Sequence, residues 1–193
     1  MCSLKNRGMR FCLGFFLLLV LTLGGSVAAF ADSGTGATAV VNAGLLSETG
    51  PGSTSANAIT LTGDDQTMTY ALGLTVADAR GSGAGWNLTI TSTLFDDGHG
   101  HQLASNASNI NAAPTVVCSG VGGHCVNPTN SIAYPLGVPA ASPAPAAVKF
   151  FNAAANSGLG KFSITPTVTI SIPGSTYAGT YTSTVSVAIV SGP

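Results

Sequence analysis

KFSITPTVTISI, residues 161–172, alternates with little interruption: Phe162, Ile164, Val168, Ile170 and Ile172 are separated by Ser163, Thr165, Thr167, Thr169 and Ser171. Successive side chains on a strand point to opposite faces, so this pattern predicts a strand with one apolar and one hydroxyl-rich face. Pro166 interrupts it. Proline has no N–H for a ladder, which places the segment at a sheet edge or bends it there. Three other segments repeat the pattern, built on Met68, Tyr70, Leu72, Leu74 and Val76, on Trp86, Leu88 and Ile90, and on Tyr181, Val185, Val187 and Ile189. Shorter strand candidates are 38–41, 58–62, 102–110 and 115–118. No segment carries helical spacing over three turns. The expected fold is all-β, a single-domain β-sandwich of mostly antiparallel strands in two sheets packed face to face. A membrane β-barrel alternates similarly but needs at least about eight strands of this quality; four are evident.

The connections add to this. Gly63-Asp64-Asp65-Gln66 and Pro173-Gly174-Ser175 have turn chemistry. Residues 111–149 contain the segment YPLGVPAASPAPAA, whose prolines and alanines cannot build a central strand. This span is expected to be a long Pro/Ala-rich loop, an excursion from the one domain.

The chain starts with an address. Lys5, Arg7 and Arg10 precede an apolar run at 11–23 (FCLGFFLLLVLTL), which Gly24-Gly25-Ser26 breaks. Ala29-Phe30-Ala31 then forms an A-x-A site, so residues 1–31 read as a signal peptide cleaved before Asp32. The competing reading is an uncleaved anchor. Beyond Ala31 three basic residues (Arg80, Lys149, Lys161) stand against seven acids, a net charge of −4. No basic patch exists, which excludes nucleic acid and other partners bound by phosphate neutralisation. Charged residues make up 7% of the chain, against about 25% in ordinary soluble domains. Ser, Thr, Asn and Gly must therefore solvate an exported protein that leaves the membrane after cleavage.

Cys118 and Cys125, in CSGVGGHC, read first as a disulfide in an oxidising compartment. His124 offers a metal alternative, but a closed tetrahedral site needs about four ligands and three are local. DDGHGH at 96–101 is the one cluster with a catalytic or metal-binding appearance, through Asp96, Asp97, His99 and His101. Its spacing fits neither an EF-hand loop nor a zinc-hydrolase helix, and the plainer reading is a polar glycine turn. No nucleophile elbow, P-loop or Ser-x-x-Lys motif is present. The expectation is a non-enzyme with no metal and no cofactor. Asn87-Leu88-Thr89 and Asn106-Ala107-Ser108 are formal glycosylation sequons.

VADARGSGAGWNLTITST in the middle of the chain and ISIPGSTYAGTYTSTVSVAIVSGP at its end together resemble the WxL-domain family of bacterial surface proteins. That family pairs a Trp-x-Leu strand after a glycine-rich turn with a later segment of the type AGxYTxTVxW. The resemblance implies an extracellular protein of the cell surface and cell wall, associated non-covalently with peptidoglycan or another cell-wall polymer, with other surface proteins as further partners. The competing class is a structural surface subunit or adhesin without wall-polymer specificity; no donor strand or sortase motif is evident. Trp86 and Leu88 match the first family motif. The second is degenerate, with Val187 and Ile189 at its apolar positions and no tryptophan. Trp86 is then either a core anchor or a surface for sugars. Replacing its counterpart by valine costs a core only size but removes a stacking group, which favours the core.

Overall fold

The computed structural model describes residues 36–193; the leader at 1–31 and the cleavage point before Asp32 lie outside the described residues. The elements are β1 (Leu46–Thr49), β2 (Gln66–Ala71), β3 (Leu74–Asp78), β4 (Trp86–Ser92), β5 (Ser108–Ile110), β6 (Thr115–Cys118), β7 (Leu136–Gly137), β8 (Val148–Ala153), β9 (Gly160–Thr165), β10 (Thr167–Ile172) and β11 (Val185–Ser191). All lie within the unit Val41–Pro193, and no helix occurs among the described residues. The chain is all-β, with sandwich-like layering, as its alternation predicts. Three sheets share the layers rather than two, in the orders β1-β3-β9-β6, β2-β10-β5-β7 and β11-β4-β8, and every strand pair is antiparallel.

The segment at 161–172 is the corner of this architecture. Pro166 ends β9 and β10 begins at Thr167 in a different sheet. Neither strand is at an edge: β9 lies between β3 and β6, and β10 between β2 and β5. The proline bends the chain, and the edge alternative is excluded. Its partner bends at the same level, since β2 pairs with β10 and β3 with β9, while Leu72 N–H donates to the Pro166 carbonyl at 3.0 Å. Two strands thus cross from sheet to sheet as one ribbon, as at the corners of sandwiches whose strands switch sheets. Even-numbered side chains stay inward throughout: Tyr70, Leu72, Leu74 and Val76 on one strand, and Phe162, Ile164, Pro166, Val168 and Ile170 on the other, are buried.

Trp86 is fully buried at the start of β4. Its indole N–H donates to the Gly158 carbonyl at 3.0 Å, and its ring meets Phe151 with centroids 5.9 Å apart. Gly158 leaves room for it: at φ +70° a Cβ would lie 2.7 Å from the indole nitrogen. Gly85, at φ +73°, passes so close to the backbone of Ala153 and Ala154 that any side chain would collide. The glycines around the tryptophan are therefore steric requirements of its seat.

Strand β8 has no alternation because it bulges. Leu88 faces Phe151 while Thr89 faces Lys149, so Phe150 is the extra residue. Both phenylalanines are buried as a result. The expected loop at 111–149 is likewise tied into the sheets, through β6 on β9, β7 on β5 and the first residues of β8. In keeping with its prolines, β6 and β7 occupy edges. Cys118 and Cys125 are bonded to each other. Backbone bonds from Ser119 to Lys161 and from Val126 to Leu159 fix their ring to β9 on both sides.

Replacing Trp86 by alanine is expected to lower unfolding stability by about 3–5 kcal/mol through lost burial and a residual cavity, measured by denaturant titration of the secreted protein. Converting both Cys118 and Cys125 to serine is expected to remove about 2.5 kcal/mol by lengthening the free unfolded chain, with the fold retained in near-ultraviolet circular dichroism.

Candidate functional site

The first family segment and the second meet in space. Strand β11 pairs with β4 along its whole length, setting Ser191 opposite Trp86, Ile189 opposite Leu88 and Val187 opposite Ile90. Leu88 and Ile90 are fully buried, and Val187 and Ile189 are half-buried on the same core. Trp86 and Leu88 therefore touch protein atoms, and Val187 and Ile189 continue that face on the neighbouring strand. At the tryptophan end, Arg80 ties the glycine-rich turn down. It forms two bonds to the Asp78 carboxylate, at 2.9 and 2.8 Å, one to the Gly85 carbonyl at 2.8 Å, and one to the Ser191 hydroxyl. Asp78 occupies the last inward position of β3 and is buried. Its hydrogen bond from the guanidinium holds the carboxyl below the usual carboxylate range. Asn87 donates to the Gly192 carbonyl and is buried in the folded protein, which closes that sequon to glycosylation; Asn106 is exposed.

The opposite end of the β4–β11 pair opens into a cleft of about 830 Å³. Its floor is the inward face of β2 and β10, where Met68, Tyr70, Ile170 and Ile172 line it. Two irregular segments wall it, 54–61 and 176–185, and the second is the AGTYTSTV portion of the family segment. Burial pushes the Tyr70 phenol up to about 12, so it is a neutral hydroxyl at physiological pH. No charged side chain is among the lining residues.

The DDGHGH cluster is the buttress of that wall. Asp96 and Thr182 exchange backbone hydrogen bonds at 3.0 and 2.9 Å, which continues the β4–β11 pairing past the strands. The Asp97 carboxylate accepts from the backbone N–H of His99 at 2.8 Å and of His101 at 3.1 Å, and from His101 Nδ1 at 2.7 Å. A carboxylate only accepts, so Nδ1 carries the hydrogen. This bond orients the imidazole, which stacks on Tyr177 with centroids 3.9 Å apart and planes 15° from parallel. Asp96 accepts from Gln102 Nε2 at 2.7 Å and from Gly98 N–H at 2.6 Å. The carboxylate oxygens are thus occupied by donors of their own turn, and no group of three metal-ligating side chains is assembled among the described residues. Tyr181 donates to the Tyr177 carbonyl at 3.0 Å; burial first, then the Asp97 and Asp96 carboxylates, raise its pKa. Sequence reasoning did not single out Tyr177 or Arg80. The available signals were an aromatic directly after the Pro-Gly turn, and a lone arginine two residues beyond an inward-facing aspartate.

Burial opposes ionisation of Asp97, but the bonds from His101 and from the two backbone N–H groups outweigh it and pull the carboxyl down to about 2. A depressed folded-state pKa stabilises the fold fully above the ordinary value of 3.8 and loses that contribution as pH falls through about 2. Carboxyl NMR titration is expected to place the Asp97 midpoint near 2, with His101 and Tyr177 ring signals shifting in the same step and Asp97→Asn abolishing it. A midpoint at the ordinary aspartate value would mean that the turn is not locked in solution.

Residues 32–193 match the family model described as WxL domain surface cell wall-binding. No curated protein and no solved structure matches the chain. The match takes in both strands of the β4–β11 pair, the acidic turn and the walls of the cleft. The chain belongs to the WxL-domain family of surface, cell wall-binding proteins, and its place is the outside of the cell.

Proposed function

We propose that the mature protein, released from its leader before Asp32, attaches non-covalently to peptidoglycan and does not turn it over. The carrying observation is the family match, which spans residues 32–193 and is that of a wall-binding surface domain. In this reading the Trp-x-Leu motif acts through the fold. Trp86 and Leu88 are fully buried, and they hold β4 against β8 and β11 so that the far end of the pair presents the cleft. Valine and isoleucine at 187 and 189 preserve that apolar contact, which supports retention of attachment despite the missing second tryptophan.

Charge supports the same reading. Past the leader only Arg80, Lys149 and Lys161 are basic, and Arg80 is committed to Asp78. Attachment to an anionic wall polymer by ion pairing has almost nothing to work with, so hydrogen bonding and apolar contact must carry it. Such contacts are not screened by salt, unlike exposed ion pairs. The absence of turnover rests on the acidic cluster: both carboxylates are tied to their own turn, which leaves no free acid–base pair in that loop.

The test is co-sedimentation of the secreted protein with purified sacculi at low and at high salt, followed by analysis of the supernatant for muropeptides. Equal sedimentation at both salts and no released fragments is the expected result. Absence of sedimentation would remove the proposed attachment, and released fragments would show turnover.

A further inference from the structure

We infer that the cleft between segments 54–61 and 176–185 is a saccharide subsite that seats an uncharged, N-acetylated stretch of glycan strand, with Tyr177 as its stacking platform. This rests on the proposed attachment to peptidoglycan and names the part of that polymer that is held.

Three features select the ligand. The first is charge. The residues lining the cleft include no Asp, Glu, Lys, Arg or His. A stem-peptide carboxylate or a phosphate polymer entering it would lose water without gaining a counter-ion, which is costly. Asp97, which lies against the lining residue Gly179, is negative and already hydrogen-bonded, so it repels anions. A glycan of amidated and acetylated sugars carries no charge and meets neither penalty.

The second feature is the platform. Tyr177 lines the cleft and is 64% exposed although its ring is stacked on His101, so the ring is held on one side while the residue stays accessible to a ligand. The C–H face of a pyranose is apolar and slightly positive, complementary to the negative face of an aromatic ring. The chain of contacts from Asp97 through His101 to Tyr177 fixes the ring plane before any ligand arrives, which lowers the ordering cost of binding. Tyr181, bonded through its hydroxyl to the Tyr177 carbonyl, restrains the backbone beneath it.

The third feature is the division of the lining. Met68, Ile170 and Ile172 form an apolar floor for acetamido methyl groups, while Thr60, Thr176 and Thr180 on the lining offer hydroxyls for sugar hydroxyls. A volume of about 830 Å³ lies within the range of sites that enclose a ligand of disaccharide size or more.

The test titrates the secreted protein with tri-N-acetylglucosamine and with glycan strands stripped of stem peptides and amidated at the freed lactyl carboxylates, so that both probes are uncharged, followed by calorimetry and amide NMR. The proteins compared are wild type, Tyr177→Ala and Tyr177→Phe, with thermal unfolding recorded for each. Binding of both saccharides is expected, with amide shifts at 176–185. Tyr177→Ala is expected to weaken binding about tenfold, the loss of one aromatic stacking contact. Tyr177→Phe keeps the platform and should bind within about threefold of wild type. Unchanged binding in Tyr177→Ala, or competition by free stem peptide instead of glycan, would overturn the inference. Sedimentation with sacculi that neither saccharide competes would overturn it while leaving wall attachment in place. Saccharide binding without sedimentation would support the subsite and remove attachment.

Discussion

The bend shared by two paired strands at Pro166 and Leu72 is the constraint on which the other parts rest. A proline in the middle of a ladder removes one donor, yet here its carbonyl still accepts the Leu72 N–H and the neighbouring strand turns with it. Because even-numbered residues remain inward on both sides of the bend, one ribbon supplies the inner face of two sheets. The β4 sheet packs into the same core through Trp86, Leu88 and Ile90. Straightening the ribbon would part the first two sheets and uncover the surface that buries the tryptophan. It would also remove the floor of the cleft, which is the β2–β10 half of that ribbon.

The two family segments lie far apart in the chain because they are the two strands of one antiparallel pair. At one end of β4–β11 the pair is sealed: Trp86 is buried against Phe151 and Gly158, and Arg80 joins Asp78, Gly85 and Ser191. At the other end the pair runs on as the Asp96–Thr182 bridge and spreads into the cleft wall. A motif that anchors one end of a strand pair can thus govern a surface at the other without touching what binds there. The same logic accounts for a second motif whose tryptophan is replaced by valine, since Val187 needs only to continue the apolar face opposite Ile90.

A chain so poor in charge uses several of its ionised groups structurally. Asp78 and Arg80 hold a turn, and Asp97 holds an imidazole that holds a phenol ring. The Asp78 and Asp97 carboxylates are matched by donors within their own few residues, so the local geometry survives without help from distant charges. Hydroxyl groups carry the solvation that Lys and Glu provide elsewhere, and they also line the walls of the cleft.

Alternation alone determined the strand class and which residues face the core: the inward sets at 68–76, 86–90 and 162–172 are buried or half-buried in the structure. The cysteine pair and the family segments were legible too, because ring size and local spacing are properties of the chain itself. What only the tertiary structure decided is where a continuous pattern is cut. The run from Met68 to Val76 reads as one strand and forms two, because parity is unchanged through the bend and a periodic signal carries no mark of a corner. β8 escaped notice for the opposite reason: its bulge sets Phe150 and Phe151 both inward and so destroys the period. The cleft was invisible as well. Its floor, its walls and the Asp97–His101–Tyr177 buttress come from segments 54–61, 68–70, 96–101 and 170–185, and only the pairing of β4 with β11 and of β2 with β10 brings them together.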